Sequence, residues 1–150
     1  MIIAVDFDGT VVGDSHAYDD LKTPLRFIPG ARSALFKMKA AGHTLILFSG
    51  RANPWLLRNP EMDPLVMAGL RKVNDERWIK NRTLNQARYI QMVTFVKREL
   101  PGVFSLIWEH QGKPSADVFI DDRAAPFRID GWSGVAHLYG QDSRTTMEAR

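Results

Sequence analysis

The first ten residues constrain this chain more than any other stretch. Met1-Ile2-Ile3-Ala4-Val5 is an unbroken apolar run that turns at once into Asp6-Phe7-Asp8-Gly9-Thr10. Five consecutive apolar residues predict a strand buried on both faces, and Gly9 predicts the turn that ends it. Two carboxylates therefore stand at the carboxyl end of a buried strand, the end at which open α/β sheets bind ligands. Carboxylates so close repel each other unless a cation or a shared proton compensates. The pair implies a metal, a proton or a substrate.

The remaining elements alternate. A polar stretch, 12–28, leads to Pro29-Gly30, after which Ala31, Ala34, Leu35, Met38 and Ala41 recur at helical spacing and Gly42 supplies a stop. His43 to Phe48 reads as a second strand, closed by Ser49-Gly50-Arg51. Pro54, Pro60 and Pro64 interrupt the next segment, with a short helix expected after Pro64 and an apolar anchor at Trp78-Ile79. Thr83 reads as the N-cap of a helix running to about Leu100, stopped by Pro101-Gly102. Phe104 to Trp108, Asp117 to Ile120 and Gly134 to Tyr139 read as strands three, four and five. The alternation predicts a single α/β domain over residues 1–150. Its form is a Rossmann-like three-layer sandwich with a mainly parallel five-stranded sheet and helices on both faces. Residues 52–83 are the candidate lid and 140–150 a frayed tail.

Composition excludes more than it assigns. The chain has no cysteine, which removes disulfides, thiolate zinc sites and cysteine nucleophiles. A five-residue apolar start without a basic leader is too short for a signal peptide or a membrane span, so no membrane partner and a cytoplasmic setting are expected. The net charge is +3, but residues 51–100 hold ten basic and five acidic side chains. A basic middle third can draw in an anionic substrate or a nucleic-acid backbone, or can simply be a solvated helical face.

The polar residues that follow the strands share one edge of the expected sheet. Asp6 and Asp8 end the first strand, Ser49, Gly50 and Arg51 follow the second, and Asp121 and Asp122 end the fourth, with Lys113 in the loop before it. Carboxylates from two strand ends make a hard, oxygen-rich site suited to Mg²⁺, with Asp6, Asp8, Asp121 and Asp122 as candidate ligands. Lys113 and the groups around Ser49 can bind the oxygens of a phosphoryl group. Asp6, the first polar residue off the strand, is the candidate nucleophile, and Asp8 the candidate acid and base.

Asp6-Phe7-Asp8-Gly9-Thr10, Leu47-Phe48-Ser49-Gly50-Arg51, Lys113-Pro114 and Phe119-Ile120-Asp121-Asp122 resemble the four ordered motifs of the haloacid dehalogenase (HAD) superfamily of phosphohydrolases. The resemblance covers about residues 1–50 and 104–139. It implies a HAD-like domain with a minimal cap, in which Asp6 forms an aspartyl-phosphate and Asp8 serves as acid, base and carbonyl ligand. It further implies that Ser49, with Thr10, Gly50 and Arg51 around it, binds phosphate, that Lys113 steadies nucleophile and phosphate, and that Asp122 binds Mg²⁺ directly and Asp121 through water. An acid at position 8 favours phosphate-ester hydrolysis over dehalogenation.

The expected activity is thus that of a Mg²⁺-dependent phosphatase acting on a phosphate monoester, either a small molecule or a nucleic-acid 3′ end. From a different class comes a phosphoacceptor or binding domain. A receiver-type acceptor aspartate would end the third strand, where Glu109-His110 stands instead, and its lysine would follow the fifth. Residues 12–28 are too short for more than a flap. Trp55, Leu56, Leu57 and Trp78 are possible substrate contacts from the lid, and Arg123 and Arg128 follow the fourth motif. The four histidines, His16, His43, His110 and His137, show no metal-ligand spacing, and His43 and His137 are expected in or beside strands. The oligomeric state is open.

Overall fold

The computed structural model describes residues 1–13, 19–51, 54–110, 112–123 and 125–141, and for 125–130 the backbone only. Four parallel strands form one sheet in the order β3-β2-β1-β4: β1 (Ile2–Asp6), β2 (Thr44–Phe48), β3 (Leu106–Ile107) and β4 (Val118–Ile120). Around them stand α1 (Ala31–Ala40), α2 (Pro54–Arg58), a 3₁₀ turn (Pro60–Met62), α3 (Pro64–Met67), α4 (Glu76–Glu99) and α5 (Ala125–Tyr139).

The apolar runs at 2–5 and 44–48 form the central strands as expected. Ile3, Ala4, Val5, Leu45 and Leu47 are fully buried. Side chains alternate across a strand, and Ile3, Val5, Leu45, Leu47 and Ile120 share one core with Leu35 and Met38 of α1, Met92, Phe95 and Val96 of α4, and Trp132 and Val135 of α5. The second face carries Ala4, Ile46, Phe48 and Phe119, with Phe48 and Phe119 meeting edge to face at 5.9 Å. Ala4, Ile46 and Phe48 are buried as well, so both faces of the sheet are covered, consistent with the expected Rossmann-like arrangement. The fold is α/β with an all-parallel sheet.

Two expectations are corrected by helix physics. The sheet has four strands, not five, because Gly134 to Tyr139 is the end of α5. Trp132, Val135, Ala136 and Tyr139 pack into the core at i, i+3, i+4 and i+7, a helical stripe that a window starting at Gly134 truncates. His137 accordingly lies exposed on α5 rather than in a strand. Likewise α4 begins seven residues before Thr83. Asp75 caps it, its carboxylate accepting from the Trp78 N–H at 3.0 Å, while the Thr83 hydroxyl donates to the Ile79 carbonyl inside the helix. The lid candidate thus becomes α2, the 3₁₀ turn, α3 and the first two turns of α4, with residues 52 and 53 outside the described set. The third and fourth strands are shorter than expected. Of the tail, only Gly140 and Gln141 are described.

Sheet register positions the site. Asp6 is level with Phe48, and Val5 is level with Ile120. Whatever follows β1, β2 and β4 must therefore emerge at one edge.

Candidate active site

The chain leaves β1 through a tight turn in which the Val11 and Val12 N–H groups both donate to the Phe7 carbonyl, and the Gly9 N–H donates to the Val12 carbonyl. Gly9 sits at φ +75°, and a Cβ there would stand 2.7 Å from Oδ2 of Asp122. Glycine is needed for the backbone and for the close approach of the fourth strand end. Residues 11–13 then pair antiparallel with 26–28 through Gly13 N–H to Arg26 O and Ile28 N–H to Val11 O, the described ends of the short flap.

Thr10 is fully buried and joins the two acidic ends. Its hydroxyl accepts from the Asp122 N–H at 2.9 Å and faces Oδ2 of Asp6 at 3.5 Å. Its carbonyl accepts from the Trp132 indole N–H at 2.6 Å. The expected role in binding substrate is not what this geometry gives it. Thr10 positions the carboxylates.

Asp6, Asp121 and Asp122 offer one carboxylate oxygen each within 4.8 Å of one another. Burial is the main reason the Asp6 carboxyl is pushed up to about 7; the Phe7 N–H pulls it down, and the charges of Asp121, Asp122 and Asp8 add to the rise. Asp121 behaves oppositely. Burial works against its ionisation, but the Arg123 N–H at 3.0 Å, the contact with Asp122 and the Lys113 ammonium at 3.2 Å outweigh that and hold it below the usual carboxylate range. Lys113 Nζ also lies 5.3 and 5.4 Å from the ring centres of Phe48 and Phe119, so two aromatic faces and one carboxylate fix an otherwise exposed cation.

Asp8 stands apart from this cluster. Arg51 holds it with Nε at 2.8 Å from each carboxylate oxygen and a second nitrogen at 2.8 Å. The same guanidinium donates to Gln91 Oε1 of α4 at 2.7 Å and lies 5.1 Å from the centre of the Phe7 ring. Arg51 is buried, at 7 % exposure. It was expected to bind substrate, yet its donors are committed to Asp8 and Gln91. Ser49 turns its hydroxyl to the Arg51 N–H at 3.0 Å, and Gly50 is exposed beside it.

The lid candidates divide. Trp78 is buried beneath the Arg82 guanidinium, 4.4 Å from its ring centre. Trp55, Leu56 and Leu57 are half-buried on α2, which is tied to the end of β3 by Trp55 N–H to Glu109 O at 3.1 Å and by the Arg58–Glu109 pair at 3.4 Å. Tyr89 donates to the same Glu109 at 2.6 Å, which holds Glu109 below its ordinary value. Arg123 is exposed; the side chain of Arg128 and all of His16 lie outside the described residues. His43 faces the amino terminus and the Tyr139 ring, and His110 packs on Trp108. Two residues of the site had no mark in the sequence, Gln91 and Trp132, because each acts only through a tertiary hydrogen bond.

Compared with protein-family models, with curated proteins and with solved structures, the chain matches none. Any functional reading draws on the site alone. Among the described residues no helix is long and apolar enough to cross a membrane.

Proposed function

We propose that the chain is a Mg²⁺-dependent phosphatase working through an aspartyl-phosphate, a HAD-type phosphoric monoester hydrolase with a minimal cap. The observation that carries this reading is the Asp6–Asp121–Asp122 cluster with the Lys113 ammonium on its rim. A divalent cation fits the donor set. All three ligand atoms are hard carboxylate oxygens gathered within 4.8 Å of one another, with burial and, to a lesser extent, the neighbouring acids raising the Asp6 carboxyl. Bound to Asp6, Asp121 and Asp122, Mg²⁺ would supply the positive charge that lets these carboxylates coexist as anions and that offsets charge on a phosphoryl group.

The chain's own groups then act in order. Lys113 draws a non-bridging phosphate oxygen toward the cluster, aided by the amides and hydroxyl around Ser49. An Asp6 oxygen attacks phosphorus, the bond from phosphorus to the ester oxygen breaks, and Asp8, entering this half protonated from solvent on one oxygen while the other stays on Arg51, gives that oxygen a proton. Asp8 next takes a proton from water, whose oxygen attacks the phosphoryl group and restores Asp6 as phosphate leaves. Arg51 keeps Asp8 in one orientation through both halves, and Gln91 keeps Arg51. Cytoplasmic placement goes with this reading.

The test is phosphate release from sugar phosphates, nucleotides, phosphopeptides and end-phosphorylated oligonucleotides, with Mg²⁺ and with chelator. Release from at least one ester only when Mg²⁺ is present, lost by several orders of magnitude in Asp6→Asn, is the expected result. No release from any ester, or release indifferent to chelator, would overturn it.

A further inference from the structure

A second cationic feature lies away from the aspartates. At the amino-terminal end of α4 a cavity of about 540 Å³ is lined by Arg71, Lys72, Arg77, Trp78, Asn81 and Asp75. Asp75 spends its carboxylate on the helix cap, and Asp63 pairs with Arg71 at 3.8 Å. The Trp78 ring holds two guanidinium groups against it, Arg82 at 4.4 Å and Arg71 at 5.9 Å. Buried Arg82 Nε has no hydrogen-bond partner. Arg71, Lys72 and Arg77 thus bring three cations to one hollow, with Arg82 stacked on its Trp78 wall, as an anion subsite requires.

The cavity is joined to the aspartates by one face of α4. Arg77, Asn81, Leu84, Arg88 and Gln91 follow one another at steps of four, three, four and three, which places them in a single row. Gln91 receives Arg51, and Arg51 holds Asp8. From Arg77 to Gln91 the helix rises roughly 21 Å. A strand stacked as in a duplex advances about 3.4 Å per nucleotide, so the row matches at most about six nucleotides of a single strand. A small phosphate ester would have no use for arginines that far from the nucleophile. A duplex would not lay one backbone along a row one helix wide and also bring its terminal phosphate to half-buried Asp6.

We infer that this row and cavity are a track for single-stranded nucleic acid, delivering a terminal phosphate to Asp6 with its backbone held by Lys72, Arg71 and Arg77. The inference rests on the phosphatase reading for the chemistry at the end of the track, but not for binding along it.

Binding of a fluorescein-labelled, 3′-phosphorylated single-stranded 12-mer, measured by anisotropy in chelator between 50 and 200 mM salt, tests it without turnover. With three or four phosphates neutralised, the log–log salt slope should be about −2 to −3. The exposed-site double variant Lys72→Glu/Arg77→Glu should weaken binding by roughly tenfold or more and flatten the slope by about 1.4. The charge-matched control Lys37→Glu/Lys39→Glu on α1 should do neither. In Mg²⁺ the track variant should lower the ratio of kcat/KM for the oligonucleotide to that for p-nitrophenyl phosphate. A flat salt dependence, a track variant that binds like wild type, or tighter binding of the matching duplex overturns the track. Failure of every ester to release phosphate would instead overturn the phosphatase reading, and the binding arm would still decide the track.

Discussion

Asp6→Asn should make the metal-free protein more stable at pH 8 while removing its activity. The Asp6 carboxyl is raised from 3.8 to about 7, so the native state holds a proton that the unfolded chain releases once pH passes 4. Native-state stability therefore falls as pH climbs between about 4 and 7, and the whole loss is present above 7. A rise of about 3 units corresponds to about 4 kcal/mol as an upper bound. Asparagine keeps an oxygen for the Phe7 N–H and the Thr10 hydroxyl, and its amide can donate to Asp121 or Asp122, with no charge to repel them. For a chain of this size, 2–4 kcal/mol should appear as roughly 5–15 °C in Tm. The assay is thermal unfolding by circular dichroism with chelator at pH 5 and pH 8, the variant read against wild type at each pH so that other titrations cancel. The gain should be largest at pH 8 and smaller at pH 5, where only about a third of the loss has set in. Added Mg²⁺ should raise the wild-type Tm more than the variant's, since only wild type offers all three carboxylates. A variant no more stable than wild type at pH 8, or equally stabilised at both pH values, would refute the argument that burial and acidic neighbours strain Asp6.

Thr10→Val keeps the volume but leaves the Asp122 N–H without its partner; it should cost about 1–3 kcal/mol in urea unfolding and weaken Mg²⁺ binding by calorimetry. Gly9→Ala meets both a left-handed backbone and a 2.7 Å contact with Asp122, so it should lower stability by about 1–3 kcal/mol and Mg²⁺ affinity with it, whereas an unchanged affinity would mean Asp122 is not a ligand. Arg51→Lys keeps the charge but loses the fork to Asp8 and the bond to Gln91, and phosphate release should fall about tenfold or more with KM little changed.

What was legible in the chain was whatever a short window contains. The strands at 2–6 and 44–48 are continuous apolar runs, and their ends are marked by Asp6 and Ser49, so the register that brings Asp121 beside them follows once the sheet is parallel. Windows failed where two readings compete locally and tertiary contact decides. Gly134 to Tyr139 alternates well enough for a strand until Trp132 is included and the buried positions fall on one helical stripe. Thr83 looks like a cap in its own window, yet the carboxylate of Asp75, eight residues earlier, is the one that caps, because the chain between them continues the helix. Arg51 carries the charge expected of a phosphate ligand, yet only the approach of α4 reveals that Gln91 and Asp8 have taken its donors.

The rigidity of the site traces to a place no motif marks. Gly131, at φ 55° and ψ −146°, breaks α5 into two pieces with a backbone that glycine alone adopts readily. The break delivers Trp132, at 2 % exposure, to the carbonyl of Thr10, whose hydroxyl in turn joins the end of β1 to the start of the loop after β4. Three carboxylates that repel one another cannot hold their own spacing. A buried threonine held at both ends can, and because its own anchor comes from α5, packing that serves the core also sets the distance between the acids. The helix that displaces the expected fifth strand is thus what lets four strands suffice for the site.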